Sequence, residues 1–142
     1  MEEKQYCTFY LDDMFFGIEV TKVQEIIKYN EMTRVPLASG VICGLINLRG
    51  QIVTAINLRR RFELSQITNV HNFMNVILNT GDGAVSFLVD RIGDVIEIGS
   101  NYYEAAPETL KGVARELICG AYKLENGLLL VLDIQKVLEI KV

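Results

Sequence analysis

The chain has 142 residues, half of them hydrophobic and 23% charged, with a formal net charge of −4. This is the composition of a globular chain, and its length suits one domain or two small units sharing a core. The acidic balance disfavours non-specific binding to nucleic acid or an anionic membrane surface, and no apolar run approaches the roughly 20 residues that span a bilayer.

Residues 6–11 form a β-branched and aromatic run, Asp12-Asp13 a turn and residues 15–20 a second run, so the chain opens with a hairpin. Thr21-Lys22-Val23-Gln24 has the form of a capping box, and Val23, Ile26 and Ile27 follow at helical spacing. A short helix or helical turn before Asn30 is predicted, against the strand propensity of its β-branched residues. Residues 32–35 read as a short strand stopped by Pro36. Two apolar runs, 41–48 and 52–58, are joined by Arg49-Gly50-Gln51. Glycine allows the positive φ of a tight turn, so this is a hairpin that holds the five guanidinium donors of Arg49 at a rigid tip. Residues 57–64 suggest one helical segment, and 65–72 a polar connector.

The second half repeats this plan. Strand-like runs at 73–78 and 84–89 flank Asn79-Thr80-Gly81-Asp82-Gly83, and at an offset of 69 residues 16–26 fall on 85–95. After a longer loop containing Tyr102, Tyr103 and Pro107, the offset becomes 76. Gly44 then meets Gly120, Leu48 meets Leu124, Ile56 meets Leu132, Asn57 meets Asp133 and Phe62 meets Leu138. Asn126-Gly127 between apolar runs is a strong hairpin signal and falls where the first half has Arg49-Gly50. Residues 133–138 carry an N-cap residue and an apolar i, i+3, i+4 face, which predicts a short closing helix. The repeat suggests two sequential β units of about five strands, each too small to stand alone and each closed into a small barrel.

Catalytic chemistry is missing from the pattern. The one histidine, His71, lies in the polar connector, no cysteine spacing suits zinc, and there is no phosphate-binding glycine motif. Asp12 and Asp13 read as solvated turn charges, and no metal or cofactor is expected. Cys7, Cys43 and Cys119 are odd in number and set in apolar surroundings, so they read as buried thiols of a reducing compartment. No secretory segment follows Met1, and a cytoplasmic protein is expected. Small barrels also bind single-stranded nucleic acid through basic grooves and exposed aromatics. Arg59-Arg60-Arg61 is a weak basic patch in an acidic chain without tryptophan, and it reads as a solvated helix face or turn. The residues alone stop at an all-β interaction module.

Residues 16–26, Thr33-Arg34-Val35-Pro36, Gly44-Leu45-Ile46-Asn47-Leu48-Arg49-Gly50 and Asn57-Leu58-Arg59 resemble the CheW family of chemotaxis coupling proteins. Phe87-Leu88-Val89-Asp90-Arg91-Ile92 and the segment from Gly120 to Asp133 are similar to that family's second half. The resemblance implies two SH3-like five-stranded β-barrels packed on each other, with short helices including a C-terminal one. Within a single CheW-like domain of residues 1–142, the sub-barrels would be roughly 13–79, and 1–12 with 80–142. The implied function is a non-enzymatic adaptor that links the cytoplasmic helical tips of chemoreceptors to the regulatory domain of the histidine kinase CheA, within membrane-bound receptor arrays and without membrane insertion. On matching positions, Val23, Glu25, Gly44, Arg49 and Val95 would bind the receptor, and Pro107 and Glu108 would lie on a kinase-binding surface. Thr54-Ala55, Asn57 and Ser86 depart from the family's usual proline, aspartate and glycine. With the sequence stopping at Val142, no kinase or receiver domain is expected.

Overall fold

Two hairpins from each half of the chain set the architecture, which a computed structural model describes for residues 3–36, 38–66, 72–125 and 127–140. His71 and the Asn126 of the expected Asn126-Gly127 turn lie outside these residues. Strands β1 (Glu3–Leu11) and β2 (Met14–Glu19) form the opening hairpin. One turn of 3₁₀ helix (Val20–Lys22) leads to β3 (Val23–Lys28), then β4 (Ile42–Leu48), β5 (Gln51–Asn57) and helix α1 (Leu58–Arg61). The second half supplies β6 (Met74–Asn79), β7 (Ala84–Val89), β8 (Arg91–Ile92), β9 (Ile96–Gly99), β10 (Tyr103–Glu104), helix α2 (Val113–Leu117), β11 (Ile118–Leu124), β12 (Gly127–Leu132) and helix α3 (Ile134–Leu138).

The strands divide into two sheets. Sheet A has the order β10-β11-β12-β2-β1-β8, with β9 also pairing β1, and sheet B the order β3-β6-β7-β5-β4. The hairpin β11–β12 lies beside β2 in sheet A as the hairpin β4–β5 lies beside β7 in sheet B, and both junctions are parallel. The repeat is therefore real, but its halves are not sequential units. Each half lends its first hairpin to the sheet that its partner half completes.

Several expectations change accordingly. The barrels are open sheets of five and seven strands rather than two closed five-stranded barrels. Sheet B is the single segment from β3 to β7, flanked in sequence by the two pieces of sheet A. The expected sub-barrel bounds, 13–79 and 1–12 with 80–142, separate the arms of two hairpins, whereas the hairpins β1–β2 and β6–β7 each stay whole. Of the helix or helical turn expected before Asn30, one 3₁₀ turn forms at Val20–Lys22, whereas Val23–Lys28 is strand β3, because its β-branched residues fit an edge of sheet B. The strand expected at 32–35 is one antiparallel bridge, Thr33 to Leu45.

The repeat holds to fine detail. Both β4 and β11 carry a β-bulge, at Cys43 and Cys119, 76 residues apart. Asn57 Oδ1 accepts from the Arg60 N–H and Asp133 Oδ1 from the Lys136 N–H, each at 3.1 Å, so both helices that follow the second hairpins start on a side-chain cap. Gly44 and Gly120 are equivalent as well. A Cβ on Gly44 would stand 2.7 Å from the Thr33 carbonyl oxygen, and one on Gly120 would stand 2.1 Å from the Tyr103 ring. In each sheet the glycine lets a crossing segment pass against the strand, which draws the two edges of the sheet together.

The main core lies between the sheets and includes Phe9, Phe16 and Leu130 from sheet A and Ile56, Val76 and Phe87 from sheet B. A small core inside the curl of sheet B contains Ile46, Val53 and Ile77, and another inside the curl of sheet A contains Tyr6, Tyr122 and Leu129. The arginine run is not a solvated face. Arg59 is 3% exposed, and its Nη1 donates to Asp12 Oδ1 and Asp90 Oδ2, both at 2.7 Å, while Nε donates to the Ser65 carbonyl at 2.9 Å. Asp12, expected to be a solvated charge, thus ties the β1–β2 turn of sheet A to helix α1 beside sheet B. Arg61 donates to the carbonyls of Val137 and Lys136 at the end of α3, which leaves Arg60 as the exposed member. Of the thiols, expected to be buried, Cys7 is buried, Cys43 is half-buried and Cys119 is exposed.

Candidate functional site

Leu48 pairs with Gln51, so Arg49 and Gly50 are the two central residues of the β4–β5 turn, with φ of 51° and 86°. Positive φ at both positions is the type I′ arrangement that matches strand twist, and Asn, Asp or Gly are its usual occupants. Arginine in the left-handed region costs on the order of 1 kcal/mol. The turn compensates locally, since Asn47 Oδ1 accepts from the Gly50 N–H at 3.0 Å.

The curl of sheet B brings this tip to the strand at its opposite edge. Arg49 Nη2 donates to Glu25 Oε2 of β3 in an ion pair whose arginine side chain is 68% exposed. That hydrogen bond holds the Glu25 carboxyl below the usual carboxylate range. Gly44 is buried five residues before Arg49, and the close approach it permits here is by Thr33 of its own chain, whose N–H and carbonyl bond Leu45 at 2.8 Å in both directions. Gly44 therefore holds the curl that sets Arg49 opposite Glu25.

The remaining expected site residues are dispersed. Val23 starts β3, pairs with Leu78 and packs in part against the main core, with a register slip between it and Glu25. Val95 belongs to the sheet A side, in the segment between β8 and β9, and is 59% exposed. Pro107 and Glu108 form a turn before α2, where the Pro107 carbonyl accepts from the Leu110 N–H at 3.1 Å and from Arg115 Nη1 at 3.2 Å. Sequence reasoning did not foresee the Glu25–Arg49 pair. The two residues lie 24 apart and meet only because sheet B curls, so no local signal announces them.

Chemically, the exposed pair offers guanidinium donors and a carboxylate to a polar or helical partner surface. Among the described residues, no group of three or more His, Cys, Asp and Glu side chains could hold a metal ion, and no helix is long and apolar enough to cross a membrane. The nucleic-acid alternative loses its basic patch, since Arg59 and Arg61 are committed inside the fold.

Residues 5–142 match the family described as CheW-like domain. The chemotaxis protein CheW of Treponema pallidum is 33% identical over 144 residues, covering 99% of this chain and 85% of that protein. The chemotaxis protein CheW of Klebsiella aerogenes is 33% identical over 95% of this chain and 81% of its own length. That of Bacillus subtilis is 36% identical over 87% and 80%. The crystal structure of the scaffolding protein TtCheW from Thermoanaerobacter tengcongensis shares this fold, with a TM-score of 0.89 at 24% identity over 99% of this chain and 95% of that one.

Proposed function

This chain belongs to the CheW family, and on that premise we propose that it is a non-enzymatic adaptor linking the cytoplasmic helical tips of chemoreceptors to the regulatory domain of the histidine kinase CheA. The observation that carries the reading is the exposed Glu25–Arg49 pair on a curled sheet edge, in a chain that matches the family over almost its whole length. A receptor helix lies against Val23, Glu25 and Arg49 on the sheet B side and meets Val95 across from them, with Gly44 holding the curl behind the pair. Val95 offers apolar contact, and Arg49 turns spare donors towards helix carboxylates or terminal carbonyls. The kinase is met through the turn at Pro107 and Glu108. The protein works in the cytoplasm, on receptor arrays whose membrane anchors are the receptors' own.

The test is calorimetric titration of the chain against a receptor cytoplasmic fragment and, separately, a CheA regulatory domain. Both are expected to bind, and Arg49→Ala is expected to weaken the receptor and spare the kinase. Absence of binding to either protein would overturn the adaptor reading. Arg49→Ala is a cleaner probe than Val23→Asp, because Val23 packs on the main core and a charge there disturbs folding as well as binding.

A further inference from the structure

The duplication gives the Arg49 tip a counterpart of opposite charge. Leu124 pairs with Gly127 as Leu48 pairs with Gln51, and position 125, one offset of 76 beyond Arg49, is Glu125. Beside this tip the small core inside sheet A opens to the surface as a depression of about 460 Å³. Phe15 and Leu124 pack on that core and form the floor, Tyr10 and Ile96 line the sides, and Leu128 stands 37% exposed at the lip.

The rim is negative. Asp13 and Glu125 line the mouth, both are exposed, and neither makes an ion pair with any described residue. The cations nearby have other contacts, and of them Arg91 stays exposed and keeps its charge beside the Tyr10 wall. Arg91 lies over the Tyr10 ring at 3.8 Å, Lys123 reaches Glu104 at 3.9 Å, and Arg59 is buried between Asp12 and Asp90. An apolar floor between unpaired carboxylates fits an apolar side chain flanked by positive charge.

We propose that this mouth is a docking surface for a short cationic amphipathic peptide segment, its apolar side chains seated between Phe15, Leu124 and Leu128 and its lysines or arginines meeting Asp13 and Glu125. A second copy of the chain is a poorer occupant, since its net charge is −4 and the cation at its own exposed tip is paired with Glu25. An anionic membrane surface is repelled by the same rim. The surface uses none of the residues assigned above to the receptor or the kinase.

The experiment is an amide-resolved NMR titration of the full chain with a twelve-residue leucine–lysine peptide and with its leucine–glutamate counterpart. Only the lysine peptide is expected to bind, at one site, with shifts centred on Tyr10, Phe15, Leu124 and Leu128 and an affinity that falls as salt is raised. Asp13→Lys/Glu125→Lys is expected to weaken binding about tenfold or more, since two exposed attractions become repulsions. Glu31→Lys/Glu63→Lys makes the same change in net charge elsewhere on the surface and is expected to retain most of the affinity. Arg49→Ala is expected to bind the peptide normally, which separates this surface from the receptor site. Equal weakening by the two double variants, shifts centred elsewhere or no binding would overturn the proposal. So would a concentration-dependent dimer abolished by Asp13→Lys/Glu125→Lys, which would make a second copy the occupant.

Discussion

Arg59→Ala is expected to be the most damaging removal of a charge from the arginine run, although nothing in the Arg59-Arg60-Arg61 string distinguishes the three. The substitution leaves the Asp90 carboxylate, 14% exposed, without its cation, and frees the Ser65 carbonyl of two guanidinium donors. Breaking a buried ion pair from one side costs about 3–5 kcal/mol, a large share of the roughly 5–15 kcal/mol that holds a domain of this size. The expected fall in melting temperature is roughly 9–20 °C at 3–4 °C per kcal/mol. Asp12 is 51% exposed in its side chain, so Asp12→Asn is expected to cost no more than about 1 kcal/mol. Urea denaturation of the two single variants and of the double variant measures their coupling. Arg59→Met keeps the apolar stem and removes only the charge, so it separates packing from electrostatics. A loss below about 1 kcal/mol for Arg59→Ala would refute the reasoning that this arginine clamps the two sheets.

Three further outcomes follow from the geometry. In Arg49→Ala the Glu25 carboxyl is expected to titrate closer to the ordinary carboxylate range, because the bond that lowers it is gone; carboxyl-detected NMR through the acid range reads this, and an unchanged midpoint contradicts the ion pair. The sign for stability is fixed by that lowered value: the pair's contribution is full above the unfolded carboxylate pKa and is lost as pH falls through the folded one. Iodoacetamide at pH 8 is expected to label exposed Cys119 first and Cys43 slowly, since burial pushes the Cys43 thiol up to about 11; mass spectrometry of a time course with Cys43 labelled first would contradict this. Gly44→Ala is expected to cost about 2 kcal/mol and more than Gly120→Ala, because the Thr33 backbone cannot yield as the ring of Tyr103, 42% exposed, can swing; equal thermal shifts would argue against the crossing-strand role.

Local chemistry in the sequence carried much of the fold. Hairpins, turn glycines and the Asp133 cap depend on neighbours a few positions apart, and they appear in the structure together with the repeat at an offset of 76. What the string did not reveal depends on which hairpin sits beside which. The exchange of β1–β2 and β6–β7 between sheets, the burial of Arg59 and the meeting of Glu25 with Arg49 all follow from pairing across dozens of residues. Strand β3 looks helical in the string because the capping-box residues 21–24 straddle a 3₁₀ turn and the start of the strand. At the site, the resemblance singled out Arg49 and Glu25, but their mutual bond became visible only with the curl of sheet B.

The exchange of hairpins also bears on how the chain is made. Sheet B is an unbroken segment, so all its ladder partners exist once residue 89 has been synthesised. The hairpin β1–β2 is made first, yet it waits for β12, which ends at Leu132, before its sheet can be completed. At translation rates of roughly 5–20 residues per second, that wait lasts on the order of ten seconds. From residue 89 onward the apolar faces of Phe9 and Phe16 have the completed sheet B to lean on, before β12 arrives. The segment coded in the middle thus serves as the template on which the two ends of the chain are joined.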